Sequence, residues 1–112
     1  MSDGRQIIDE TYNILKEVPA ALESQKAAYE GGAYETLRGT VESGLEWAKK
    51  CRNKVWLRSK EGTDLAQGCL DYAKELSSSL DQPEKASDAA YSLLYKLEGL
   101  AKIIATKASV MT

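Results

Sequence analysis

Lys49, Lys50, Arg52, Lys54, Arg58 and Lys60 crowd into the stretch that runs from Trp47 to Lys60, and no acid interrupts them. Cations packed this closely bind anions: the carboxylates of an acidic protein surface, the phosphates of a nucleic acid, or the headgroups of an anionic lipid. The rest of the chain has the opposite sign. The 46 residues before this stretch carry nine acids and four bases, and the 52 after it carry eight acids and five bases, so the formal charge runs −5, +6, −3. The net charge of −2 is not the balance of a general nucleic-acid binder, which carries an excess of bases. A polyanion would have to use this block alone. Trp47 and Trp56 are the only tryptophans in the chain, and an indole beside a cation row is a common anchor for a partner.

Other chemistries find less support. Histidine is absent. It is the commonest general base, the usual haem ligand and the usual partner of a Ser or Cys nucleophile, so haem, ordinary zinc and His-dependent hydrolytic sites are not expected. The acids Glu10, Glu17, Glu35, Glu42 and Glu46 fall on outward rows, away from the apolar flanks that would raise a carboxyl pKa. Ser59-Lys60 is the nearest approach to a nucleophile with a base, and nothing around it supports the pair. Cys51 and Cys69 sit on apolar stripes with no CxxC spacing; they read as buried free thiols, with a disulfide as the alternative. No catalytic residue, metal site or cofactor is expected.

The elements that must position the basic block follow a helical period throughout. Ile8, Leu15, Leu22 and Tyr29 repeat every seven residues, flanked by Ile7, Ile14, Thr11 and Val18. This predicts a first helix from Ser2 or Asp3 to Tyr29, capped by Asp3, kinked near Pro19 and ended by Gly31-Gly32. A second helix is expected from Ala33 to Arg58, with Leu37, Val41, Leu45, Ala48, Cys51 or Arg52, and Val55 inward. A third runs from Asp64, with Thr63 or Asp64 as its cap, to Leu80. Asp81-Gln82-Pro83-Glu84 opens a fourth, which continues to Ala108. Its stripe is the cleanest in the chain: Ala86, Ala90, Leu93, Leu97, Leu100 and Ile104, widened by Leu94, Ala101 and Ala108.

The expected fold is therefore all-α: one domain, residues 1–112, forming a single antiparallel up-down-up-down four-helix bundle whose successive helices are neighbours. On an unbroken second helix Lys50, Lys54 and Arg58 would form one outward row at i, i+4 and i+8, with Lys49 on its flank. Trp47 and Trp56, about 180° apart, would lie at opposite edges of the buried stripe.

This reading points to a non-enzymatic protein-binding module, an adaptor, inhibitor or sequestering protein. It would grip an acidic partner through Lys49, Lys50, Lys54 and Arg58, with Trp47 or Trp56 as anchor. The bland alternative is a solvated face whose cations pair with acids on the first and third helices. Two further alternatives are a nucleic-acid or anionic-surface binder using the same face, and a carrier holding a small apolar ligand in a cavity lined by Leu45, Cys69, Leu93 and Leu97. Tyr91 and Tyr95, one turn apart outside the leucine stripe, could also join two copies as a homodimer. No apolar run approaches the roughly 18 residues of a membrane span, and Met-Ser-Asp-Gly-Arg opens polar, so a cytoplasmic protein is expected.

Overall fold

A computed structural model describes residues 3–111, with side chains from residue 3 to residue 107. Four α-helices make up almost all of it: α1 (Gly4–Glu23), α2 (Ala33–Cys51), α3 (Lys60–Ser78) and α4 (Pro83–Met111). Ser2, the alternative start of the first helix, and the Ala108 side chain, expected on the fourth stripe, lie outside the described residues. The inward faces carry the apolar repeats. Ile8, Leu15, Val18, Leu22, Leu37, Val41, Leu76, Leu93, Leu97 and Leu100 are buried in one continuous cluster. This is the all-α four-helix bundle of the sequence reading.

Local chemistry fixes the helix ends. Asp3 accepts from the backbone N–H groups of Arg5 and Gln6, and the Gln6 side chain accepts from the Asp3 N–H, which closes a capping box. α1 continues through Pro19 and ends at Glu23, six residues short of the expected Tyr29. The Ser24 hydroxyl donates to the Ala21 carbonyl at 2.7 Å, competing for the helix end. After Leu22 no large apolar residue draws the helix onward until Tyr29. That ring is instead placed by its hydroxyl, which donates to the Leu80 carbonyl at 2.8 Å, and by an edge contact with Tyr34. Gly31, at φ 59°, makes the turn into α2 rather than ending α1.

The second correction concerns the basic block. α2 stops at Cys51, not Arg58. Asn53 takes φ 60°, the left-handed conformation that asparagine tolerates better than most residues and that commonly follows a helix C-terminus. Val55–Arg58 then form a 3₁₀ turn, and α3 starts at Lys60, earlier than the expected Asp64. The cap of α3 is Ser59, which accepts from the Gly62 N–H at 3.0 Å. Thr63, an expected cap, serves elsewhere: its hydroxyl donates to the Leu57 carbonyl and accepts from the Gly4 N–H, both near 3 Å. The change of direction at Asn53 reverses the inner and outer sides of the 3₁₀ turn relative to a continued helix. Val55, expected inward, is 60% exposed, and Leu57, absent from the expected core, is fully buried.

Chain direction alternates up, down, up, down, but the helices do not lie side by side in chain order. α1 packs most extensively on α3, and α2 on α4; the α1–α2 and α3–α4 pairs complete the ring. α2 and α3 therefore stand on a diagonal, and the Val55–Arg58 turn carries the chain across it. α1 and α3 run parallel, as do α2 and α4. Gly4 meets Thr63 at one end, and Tyr29, just past α1, meets Leu80 at the other. α4, at 29 residues, is ten residues longer than α2, so its C-terminal turns run past the end of α2.

Candidate functional site

The break after Cys51 divides the basic block. Lys49 and Lys50 remain on the last turn of α2. Arg52, Asn53 and Lys54 form the connection, Arg58 ends the 3₁₀ turn, and Lys60 opens α3. Lys50, Lys54 and Arg58 do not form the single helical row expected, because no helix joins them.

Three of the six cations have acidic partners. Arg52 Nε donates to Asp9 Oδ1 at 3.0 Å, and its guanidinium carbon lies 4.4 Å from the centre of the Tyr12 ring. Lys60 Nζ is 3.0 Å from Asp64 Oδ2, and Lys49 Nζ is 3.5 Å from Glu46 Oε1. Two of these pairs, to Asp9 on α1 and Asp64 on α3, are of the kind the bland reading of the block describes; Glu46 lies on α2 with Lys49 itself. Lys50, Lys54 and Arg58 make no ion pair among the described residues, and all three are exposed. Lys50 Nζ instead sits 4.3 Å from the centre of the Trp47 ring, a cation–π contact on the surface.

Lys50, Lys54 and Trp47 come together in one open recess of about 420 Å³ between the end of α2 and the overhanging end of α4. Trp47, Ala101, Ile104 and Ala105 form its apolar floor, and Lys50, Lys54 and Lys102 stand around it. Lys102 reaches Glu98 Oε1 at 3.4 Å along its own helix. The half-buried Trp47 keeps part of its indole at the surface, as a stripe-edge position implies. Lys102, Ala101, Ile104 and Ala105 were missed as site residues. With successive helices as neighbours, α2 and α4 would have been diagonal, and nothing on α4 could have faced Trp47.

The remaining candidates fall elsewhere. Trp56 is half-buried in the 3₁₀ turn and accepts through its carbonyl from both the Ser59 N–H and hydroxyl. Arg58 lies further along that turn and does not line the recess. Lys49 lines a second open recess, also about 420 Å³, between α1 and α2 with Tyr12, Lys16, Glu42, Leu45 and Glu46. Its two lysines and two glutamates leave that surface without a dominant sign. Leu45, assigned to an axial cavity, is half-buried at this α1–α2 seam, whereas Cys69, Leu93 and Leu97 are in the core.

Groups with nucleophilic atoms have structural work instead. Ser59 Oγ donates to the Trp56 carbonyl at 2.7 Å and caps α3. Cys51 and Cys69 are free and fully buried. Burial pushes the Cys51 thiol up to about 12, with Lys54 opposing. Burial, then the nearby Cys51, pushes Cys69 up to about 12, with Lys96 opposing. A thiol at that value holds almost no thiolate near neutral pH and is a poor nucleophile or ligand. Among the described residues no cluster of His, Cys, Asp and Glu gathers as a metal site would require, and no helix is long and apolar enough to cross a membrane.

Comparisons with protein-family models, curated proteins and solved structures find no match.

Proposed function

We propose that this chain is a non-enzymatic protein-binding module that holds an acidic segment of another protein in the recess between α2 and α4. One observation carries the reading: an apolar floor centred on Trp47 stands among Lys50, Lys54 and Lys102, and two of those lysines lack an acidic partner among the described residues. An apolar anchor in a pocket, ringed by charges of one sign, is the arrangement that recognises an acidic segment with an apolar residue within it. The occupant would set its apolar side chain against Trp47, Ala101 and Ile104, and its carboxylates against Lys50 and Lys54. Arg58, outside the recess, contributes to the general positive field and not to the grip, and Trp56 takes no part in either.

The test is affinity capture from the native source, read by mass spectrometry, with the natural chain and the Lys50→Glu/Lys54→Glu variant. Both lysines are exposed and outside any ion pair described, so the variant should melt within a few degrees of the natural chain while capture falls at least tenfold, since reversing charges at a rim mainly weakens encounter and complementarity. Undiminished capture by the variant would place the interface elsewhere. A nucleic acid in the captured material, with affinity falling about one log per log of salt for each phosphate contacted, would assign the same face to phosphate recognition. A small apolar ligand retained in native mass spectrometry would favour the carrier.

A further inference from the structure

α4 carries two heptad stripes. The inner one, Ala86, Ala90, Leu93, Leu97, Leu100 and Ile104, is buried in the bundle. The outer one, Glu84, Asp88, Tyr91, Tyr95, Glu98 and Lys102, repeats at the same four-and-three spacing; Glu98 and Lys102 pair along it, while Tyr91 and Tyr95 stay exposed. Tyr91 and Tyr95 are the most exposed aromatic rings described, at 51% and 79%. The other four tyrosines are buried or packed against the core: Tyr34 inside it, and Tyr12, Tyr29 and Tyr72 at its margin. One turn beyond Tyr95 stands Gly99, where a side chain would meet nothing within 4 Å. Two large amphipathic rings beside bare backbone can be covered only by something from outside the fold.

The charges say what covers them. Asp88 lies seven residues before Tyr95 and Lys102 seven residues after it, on the same face. We infer that the outer face of α4 binds a second copy of this chain, with the two α4 helices antiparallel about a twofold axis crossing at Tyr95. That symmetry stacks Tyr95 on its own mate and brings Tyr91 to the height of the partner copy's Gly99, where open backbone leaves room for the ring. It also sets Asp88 of each copy beside Lys102 of the other, twice over, as a self-complementary interface requires. Parallel pairing would place Asp88 on Asp88 and Lys102 on Lys102, so the charge order selects the antiparallel arrangement. Lys102 leaves its contact with Glu98 for an acid across the seam, an exchange of one exposed pair for another. One helix face is a small interface, so the dimer is weak and concentration-dependent.

Sedimentation velocity from about 10 µM to about 1 mM should show the mass rise from 12.3 kDa towards twice that value. Tyr95→Glu, at a position exposed enough to leave the fold intact, should sediment as a monomer throughout with unchanged helicity. Asp88→Lys should weaken the dimer about tenfold, and adding Lys102→Asp should restore it, since two ion pairs become two repulsions and then two pairs again. Tyr95→Cys should cross-link to itself under mild oxidation, while Cys51 and Cys69, being buried, stay out of the reaction. A natural chain that remains monomeric at the highest concentration would overturn the inference. So would a dimer untouched by Tyr95→Glu, or a charge swap that restores nothing. The α2–α4 recess shares only Lys102 with this face, so Lys50→Glu/Lys54→Glu should leave the dimer intact and Tyr95→Glu should leave partner capture intact.

Discussion

The Arg52 guanidinium is held against Asp9 and the Tyr12 ring, while Lys54, two residues on, is exposed to solvent outside any ion pair described. Neighbouring cations of one block thus have different roles. Arg52 ties the α2–α3 connection to α1, and at its partial exposure the ion pair and ring contact together contribute about 1 kcal/mol. Arg52→Ala should lower the stability read from urea denaturation by that amount and leave partner capture unchanged, whereas Lys54→Glu should do the reverse. The cysteines offer a test of burial. In the unfolded chain a thiol ionises near its ordinary value of 9.0, but in the native core it stays protonated to about 12. Their contribution to stability is fully present below pH 9 and is lost as pH rises from 9 towards 12, because the unfolded state then releases protons that the native state keeps. The urea midpoint of the natural chain should therefore fall more steeply above pH 9 than that of Cys51→Ala/Cys69→Ala. Burial of these thiols was legible because both lie on apolar stripes. The Arg52–Asp9 pair was not, because an in-register helix through Arg52 gave no reason to single it out.

At the scale of elements, the Asn53 turn and the buried Leu57 decide where the basic side chains go. The heptad runs through Ala48 to Val55 without a fault, so periodicity alone prolongs α2 by two turns. The contrary signal was a single asparagine, a residue suited to the left-handed conformation but far less diagnostic than glycine. Leu57 then plugs the end of the bundle, and two glycines let the backbone close around it. A Cβ on Gly62 would lie 2.6 Å from the Trp56 carbonyl oxygen, and one on Gly4 would strike the carbonyl of Leu57. Neither backbone can move without shifting the Ser59 cap of α3 and the Thr63 hydroxyl's bonds to Gly4 and Leu57. Gly62→Ala, on a helix where alanine is otherwise the better residue, should destabilise the fold by about 2 kcal/mol in chemical denaturation. Gly68→Ala on the same helix, where the would-be Cβ meets only the flexible end of the Lys96 side chain, should be neutral or stabilising.

At the scale of the molecule, four apolar stripes and three breaks were enough to read an all-α bundle from the sequence, because each stripe needs a partner and helices of this length satisfy one another. The order around the axis was not legible. It depends on whether the Val55–Arg58 segment spans an edge or a diagonal, and that is decided by one burial, Leu57, which no repeat announces. The candidate site inherits this: Trp47, Lys50 and Lys54 could be named from charge and type, but the α4 wall that completes the recess could not. The same diagonal has a kinetic consequence. The α1–α2 and α3–α4 pairs are local hairpins that can close quickly, whereas the hydrogen bond from Gly4 to Thr63 joins residues 59 apart in the chain. Contacts of such sequence separation are costly to form early. The two hairpins should therefore assemble first, with the Leu57 plug seated after the rate-limiting barrier. Leu57→Ala should then speed unfolding roughly in proportion to its loss of stability while leaving the refolding rate nearly unchanged. The plug would act as a latch whose strength sets how long the native state lasts, not how fast it is reached.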